Sequence, residues 1–152
     1  MSLTVVAPVT GRIVRLADVP DPVFSAALVG PGVAIDPMVD GRSQAVSPVD
    51  GTIAKLHPHA YVVTTADGAG VLVHLGIDTV QLAGEGFELL AEENASIGAG
   101  EPIVAWDPAA VQAGGRSPIC PVVALDAPAE ALSGLLEGGE VAAGDALFTW
   151  DR

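Results

Sequence analysis

Two segments of this chain are written twice, and that repetition restricts its architecture more than any other feature. Ala7-Pro8-Val9-Thr10-Gly11-Arg12-Ile13 returns 40 residues later as Ser47-Pro48-Val49-Asp50-Gly51-Thr52-Ile53. Gly100-Glu101-Pro102-Ile103-Val104-Ala105-Trp106-Asp107 returns 44 residues later as Gly144-Asp145-Ala146-Leu147-Phe148-Thr149-Trp150-Asp151. In the first pair a proline ends one strand, a glycine able to take positive φ follows, and a new strand starts. In the second a Gly-acid turn launches a strand of alternating character. Two such echoes in one chain predict related β halves packed on each other.

The rest of the chain agrees. Strands are expected at Gly32 to Asp36, Ala60 to Ala66, Val71 to Leu75, Phe87 to Ala91 and Ile119 to Leu125, and Asp67-Gly68-Ala69-Gly70 reads as a hairpin turn. Helical signals are short. Asp107-Pro108 is an N-cap followed by proline at the first helical position, soon stopped by Gly114-Gly115. A second helix is expected from Pro128 to Leu136, and a helical turn from Pro22 to Leu28. With 152 residues, half of them apolar, and 18 Gly and 12 Pro scattered rather than clustered, no linker divides the chain. The expected fold is all-β: one domain over residues 1–152, an antiparallel β-sandwich with internal duplication and short helical turns only.

Nineteen acidic against six basic residues give a formal net charge of −13. Such a surface repels phosphate backbones and anionic lipid, so nucleic acid and membrane surfaces are disfavoured as partners; it either steers a basic protein partner inward or only keeps the domain soluble. The single cysteine, Cys120, rules out an internal disulfide and a cysteine zinc site, and reads as a packed thiol on a buried strand. Met1-Ser2-Leu3-Thr4-Val5-Val6 has no basic region or long apolar stretch, so neither a signal peptide nor membrane insertion is expected, and the location is cytoplasmic.

The chemistry points to histidine. Val71-Leu72-Val73-His74-Leu75-Gly76-Ile77-Asp78-Thr79-Val80 ends an apolar run on a histidine, and His59 lies 15 residues upstream, a distance two antiparallel strands and a tight turn can close. No Ser/Asp triad and no cysteine cluster accompany them.

The run from Ser47 to Ile53, His59-Ala60-Tyr61, and Leu72 through Leu82 continuing to Gly84-Glu85-Gly86-Phe87 strongly resemble the glucose-type IIA component of the bacterial sugar phosphotransferase system. The likeness extends from about Val5 to Phe148. It implies a monomeric β-sandwich that takes a phosphoryl group from the phosphocarrier HPr onto a histidine and passes it to a cysteine of the IIB domain of a sugar permease. By that resemblance His74 is the acceptor and His59 its support. No cofactor is required beyond the covalent phosphoryl group, and no intrinsic metal site is expected, although His59 and His74 could share Zn²⁺ if a partner supplied a carboxylate. Regulated permeases or metabolic enzymes are further partners the family can bind.

Physical requirements fit these assignments. A histidine nucleophile must be neutral with one nitrogen lone pair free, so its other nitrogen must donate its proton; the carbonyl of Gly76 is the expected acceptor. His59 would donate to the transferring phosphoryl oxygens. A docking patch is expected from Val23, Phe24, Leu28, Val29, Tyr61, Leu75 and Val80, with Asp21 and Asp78 on its rim. Leu28 and Val29 have a core reading as the alternative, and Asp78 a local turn. His57 departs from the family, which commonly has Thr two residues before the support histidine in a slightly longer segment. It either orients His59 or sits exposed as a bystander.

Two other classes lack a required residue. A zinc endopeptidase of the lysostaphin type needs His-x-His on one strand plus an upstream His and Asp; Leu72 occupies the position two before His74, and His57-Pro58-His59 has the alternation but is interrupted by Pro58 and has no histidine upstream. A biotinyl or lipoyl carrier needs a lysine at a Met-flanked hairpin tip, and the only lysine, Lys55, is not so placed.

Overall fold

Ala7 and Ser47, which open the two Pro-Val echoes, make matching backbone hydrogen bonds. The Ala7 amide donates to Asp145 at 2.8 Å and its carbonyl accepts from Gly144 at 2.8 Å; the Ser47 amide donates to Glu101 and its carbonyl accepts from Gly100, both at 2.9 Å. Val6 N–H reaches the Pro48 carbonyl and Val46 N–H the Pro8 carbonyl, each at 2.9 Å. The four repeated segments therefore meet at one junction, related by an approximate two-fold axis.

The computed structural model describes residues 2–39 and 42–152. Its elements are β1 (Ser2–Val6), β2 (Gly11–Arg15), α1 (Pro22–Ser25), β3 (Gly32–Pro37), β4 (Ser43–Val46), β5 (Gly51–His57), β6 (Ala60–Thr64), β7 (Gly70–His74), β8 (Phe87–Leu89), β9 (Ser96–Ile97), β10 (Pro102–Trp106), α2 (Pro108–Ala113), β11 (Cys120–Ala124), β12 (Leu132–Ser133), β13 (Glu140–Val141) and β14 (Ala146–Asp151). An eight-stranded sheet runs β13-β2-β3-β11-β7-β6-β5-β9, beside two three-stranded sheets, β1-β14-β12 and β4-β10-β8. The duplication is visible in the register. Val5 pairs with Phe148 and Leu3 with Trp150, just as Ala45 pairs with Val104 and Ser43 with Trp106. Both pairings shift register next to Val6 and Val46 respectively. The large sheet reads as a palindrome about the β11–β7 pair, where Val122 faces Val73. The result is an antiparallel β-sandwich with, among the described residues, two short α-helices and three 3-10 turns.

The glycines inside the echoes have a different role from the one expected. Gly11 and Gly51 are not in the positive-φ region; instead, a Cβ at either would lie 2.2 Å from the carbonyl oxygen of Asp36 or Thr64 on the adjacent strand. Close strand approach, repeated in both halves, excludes any side chain there.

The helix expected from Pro128 to Leu136 is corrected: a 3-10 turn, Ala129–Ala131, leads straight into β12. Leu132 is only 8% exposed and pairs with Trp150 on β14, and Gly134 turns away at φ 65°. Tertiary pairing outweighs a weak helical preference over so few residues. The hairpin between β6 and β7 forms as anticipated, with Ala69 N–H on the Thr65 hydroxyl at 3.1 Å and Gly68 at φ 92°. Asp107 caps α2, accepting from Ala110 N–H at 3.2 Å.

Burial splits the apolar residues by face. The main core lies between the sheets and includes Val5, Ile35, Ile53, Tyr61, Val73, Trp106, Cys120 and Phe148. The outer face of the large sheet carries a second cluster, in which Leu16, Val19 and Phe24 from the β2–β3 connection cover Ala34, Ile77 and Val123. That covering loop stops at the end of β7, where the histidines lie.

Candidate functional site

Strand register brings the histidines together. His57 pairs with Ala60 across the two-residue turn Pro58-His59, and Ala60 pairs with His74. The Leu75 amide then donates to the carbonyl of His59 at 2.7 Å, so the backbone of one histidine is tied to the residue after the other. Their rings meet edge to face, centroids 5.3 Å apart at 68°. His57 adds a third ring, stacked on His59 at 5.7 Å and 25°. It is exposed to solvent and in ring contact with His59.

The ring of His74 is part-buried and its Nδ1 lies 2.5 Å from the carbonyl oxygen of Gly76. A carbonyl can only accept, so Nδ1 carries the proton and Nε2 holds the lone pair. Gly76 is required at its position: φ is 82°, and a Cβ would sit 2.7 Å from Thr79 Cγ2 and 3.0 Å from the Ser117 carbonyl oxygen. Burial lowers the pKa of His74 below 6.5, opposed by the Gly76 hydrogen bond and by the charges of Asp21 and Asp78. Burial also lowers that of His59, reinforced by His74 and His57. Both shifts favour the uncharged ring, the form a nitrogen nucleophile must have.

The residues expected in the docking patch differ in exposure. Leu28 is 71% exposed, Val80 60% and Val23 42%. Val29 is half-buried against the second core cluster, between its two readings. Phe24, also expected in the patch, is a correction: it is buried in the second core cluster, with its ring 5.4 Å from that of His74. Asp21 accepts from Val23 N–H at 2.9 Å and so caps α1, the single turn that presents Phe24. Asp78 is exposed in the left-handed conformation, φ 60°, and its side chain makes no cap bond to the turn that follows.

Tyr61 and Leu75 are corrections. Both are 0% exposed, and Tyr61 Oη donates to the Val46 carbonyl at 2.7 Å inside the main core. Side chains alternate along a strand, so residues one step from Ala60 and His74 point into the sandwich when those two point out. Period-two counting from His74 would have removed them from the patch. Thr79 and the Ser117 carbonyl, which shape the loop after His74, went unrecognised in the sequence; only the short polar step Asp78-Thr79 hinted at them. Among the described residues, no three His, Cys, Asp or Glu side chains converge to hold a metal ion.

Residues 3–129 match the family model described as the phosphoenolpyruvate-dependent sugar phosphotransferase system, EIIA 1. The glucose-specific EIIA component of Haemophilus influenzae is 36% identical over 150 residues, covering 97% of this chain and 87% of that protein. That of Bacillus cereus is 39% identical over 122 residues, covering 79% and 72%. The N-acetylglucosamine-specific EIICBA component of Escherichia coli K12 is 46% identical over 120 residues, or 78% of this chain. This chain spans about a fifth of the length of such fused relatives, 18% there and 22% in Klebsiella pneumoniae. The solved glucose permease IIA from Mycoplasma capricolum superposes with a TM-score of 0.89 at 32% identity, covering 98% of this chain and 96% of that one.

Proposed function

Since this chain belongs to the EIIA 1 family of the phosphoenolpyruvate-dependent sugar phosphotransferase system, we propose that it relays a phosphoryl group on His74 between HPr and a IIB domain. Phosphoryl transfer is the general activity of such sugar-specific components, and the fused EIICBA relatives point to a IIB partner. The observation that carries the finer reading is the hydrogen bond from His74 Nδ1 to Gly76, with the ring of His59 alongside.

The Nε2 lone pair of His74 forms the new P–N bond as the P–N bond of the donor histidine breaks, its electron pair returning to the donor ring. No proton has to leave the attacking nitrogen. The positive charge that the acceptor ring takes on is stabilised by the Gly76 carbonyl at Nδ1, and by Asp21 and Asp78 through space. His59 donates to the equatorial oxygens, a role metal ions fill in nucleotide kinases. Discharge reverses the roles: a thiolate of the IIB domain attacks phosphorus and the electron pair of the P–N bond returns to Nε2. Phe24 and the exposed Leu28, Val23 and Val80 exclude water when a partner docks, which protects the labile phosphohistidine. A chain of net charge −13 attracts a partner with a basic docking face.

The test is phosphotransfer from HPr to wild type, His74→Ala and His59→Gln, followed by discharge onto IIB domains. Wild type should take one phosphoryl group and pass it on, and His74→Ala should take none. Label persisting on His74→Ala would overturn the assignment.

A further inference from the structure

Between β7 and the 3-10 turn Thr79–Leu82 the chain reverses through two left-handed residues, Gly76 at φ 82° and Asp78 at φ 60°. A non-glycine residue in that conformation persists only where its surroundings hold it. Thr79 is 1% exposed, and its hydroxyl donates to the Leu75 carbonyl at 2.7 Å. Its methyl group occupies the space under Gly76, 2.7 Å from where a Cβ would be built. On the far side, Ile77 N–H donates to the Ser117 carbonyl at 2.9 Å.

We propose that Thr79 is the positioning residue of the relay, holding the Leu75-Gly76 peptide so that the Gly76 carbonyl meets Nδ1 of His74. The role given to His74 rests on the reading above; the geometry does not. Leu75 is the hub. Its carbonyl accepts from Thr79, and its amide donates to His59, so one hydroxyl steadies the backbone next to both rings. Without that hydroxyl, a buried carbonyl has no donor, and the peptide gains by rotating toward a new one. Rotation there changes φ of Gly76 and so tilts the next peptide, Gly76-Ile77, whose amide reaches Ser117 and whose carbonyl meets Nδ1, and the carbonyl is carried off the ring. Once this acceptor is lost, nothing favours the Nδ1–H tautomer, and molecules with the proton on Nε2 have no lone pair with which to attack phosphorus. Thr79 touches no reacting atom.

The two arms of Thr79 can be separated. Thr79→Val keeps the methyl and removes the hydroxyl; Thr79→Ser does the opposite. Long-range ¹H–¹⁵N spectra at neutral pH report the tautomer of His74 directly, and quenched-flow transfer from phospho-HPr reports the rate. Wild type and Thr79→Ser should show the single Nδ1–H form. Thr79→Val should show both forms and accept phosphoryl about 10- to 100-fold more slowly, the scale of loss from a small misplacement of reacting groups. If Thr79→Val fails to fold, Thr79→Ala replaces it, and serine against alanine makes the same comparison. A folded Thr79→Val or Thr79→Ala that keeps only the Nδ1–H form overturns the proposal, as does a Thr79→Ser that mixes tautomers. A wild-type chain that accepts no phosphoryl group, yet shows the tautomer shift on losing the hydroxyl, would remove the relay and leave the positioning role standing.

Discussion

His59 and His74 meet edge to face although only His74 lies on a strand. A backbone bond from Leu75 to His59 and the Ala60–His74 pair hold the contact, so neither ring needs a partner protein to find the other. Preorganisation of this kind lets a relay pass a phosphoryl group without a separate assembly step.

Replacement of His59 by Gln should leave a folded chain whose transfer is slowed by about 10²-fold, the usual loss on removing one donor from a developing anion. The loss should be greater in discharge to the IIB domain than in acceptance. Stopped-flow rates in both directions check this, and unchanged rates would remove His59 from the mechanism.

Stability should depend on pH through the same rings. Both imidazoles have folded pKa values below 6.5. As pH falls toward 6.5 the unfolded chain binds protons first, so stability falls through 6.5 and on down through the folded values, and these groups contribute little slope well above 6.5. Urea midpoints measured between about pH 5 and 8 should show that fall, and the double variant His59→Gln, His74→Gln should flatten it.

The duplication makes a paired prediction. Gly11→Ala and Gly51→Ala each push a methyl group to 2.2 Å from a strand carbonyl oxygen, so both should destabilise by about 1–3 kcal/mol or more and to a similar extent. Denaturant titration checks it; a tolerated alanine at either position would mean the strands can separate there.

Leu28→Asp and Tyr61→Phe separate docking from folding. Leu28 is 71% exposed, so Leu28→Asp should weaken HPr binding with little change in stability. Tyr61→Phe strips the donor from the buried Val46 carbonyl and should cost about 1–3 kcal/mol while leaving affinity unchanged. Calorimetric titration and thermal melts together distinguish the two.

Burial pushes the Cys120 thiol up to about 12. The native chain should therefore resist maleimide at neutral pH and react only when unfolded. Rapid labelling of the native form would contradict the packing around β11.

How much of this could be read from the sequence depended on how local the signal was. The echoes at Ala7 and Ser47 were legible because the same hydrogen bonds are needed in both halves, and the same residue types provide them. The hairpin at Gly68 and the tie between His74 and Gly76 were legible because they span few residues. β4, β9, β12 and β13 were not: each has two to four residues, and each exists because a partner strand is there to receive it. The Pro128 to Leu136 segment was misread for that reason, since Trp150 decides the conformation of Leu132 from eighteen residues away. Tyr61 and Leu75 failed differently, because the family motif gave proximity to the histidines, whereas strand alternation decides which face a side chain takes.

Mapping the phosphoryl group after incubation with HPr and phosphoenolpyruvate-charged enzyme decides whether His74 is the carrier. One acid-labile phosphoryl group on Nε2 of His74, absent from His74→Ala and discharged by a IIB domain, is the expected result. Modification of His57 or His59 instead, or a label that survives on His74→Ala, would contradict it.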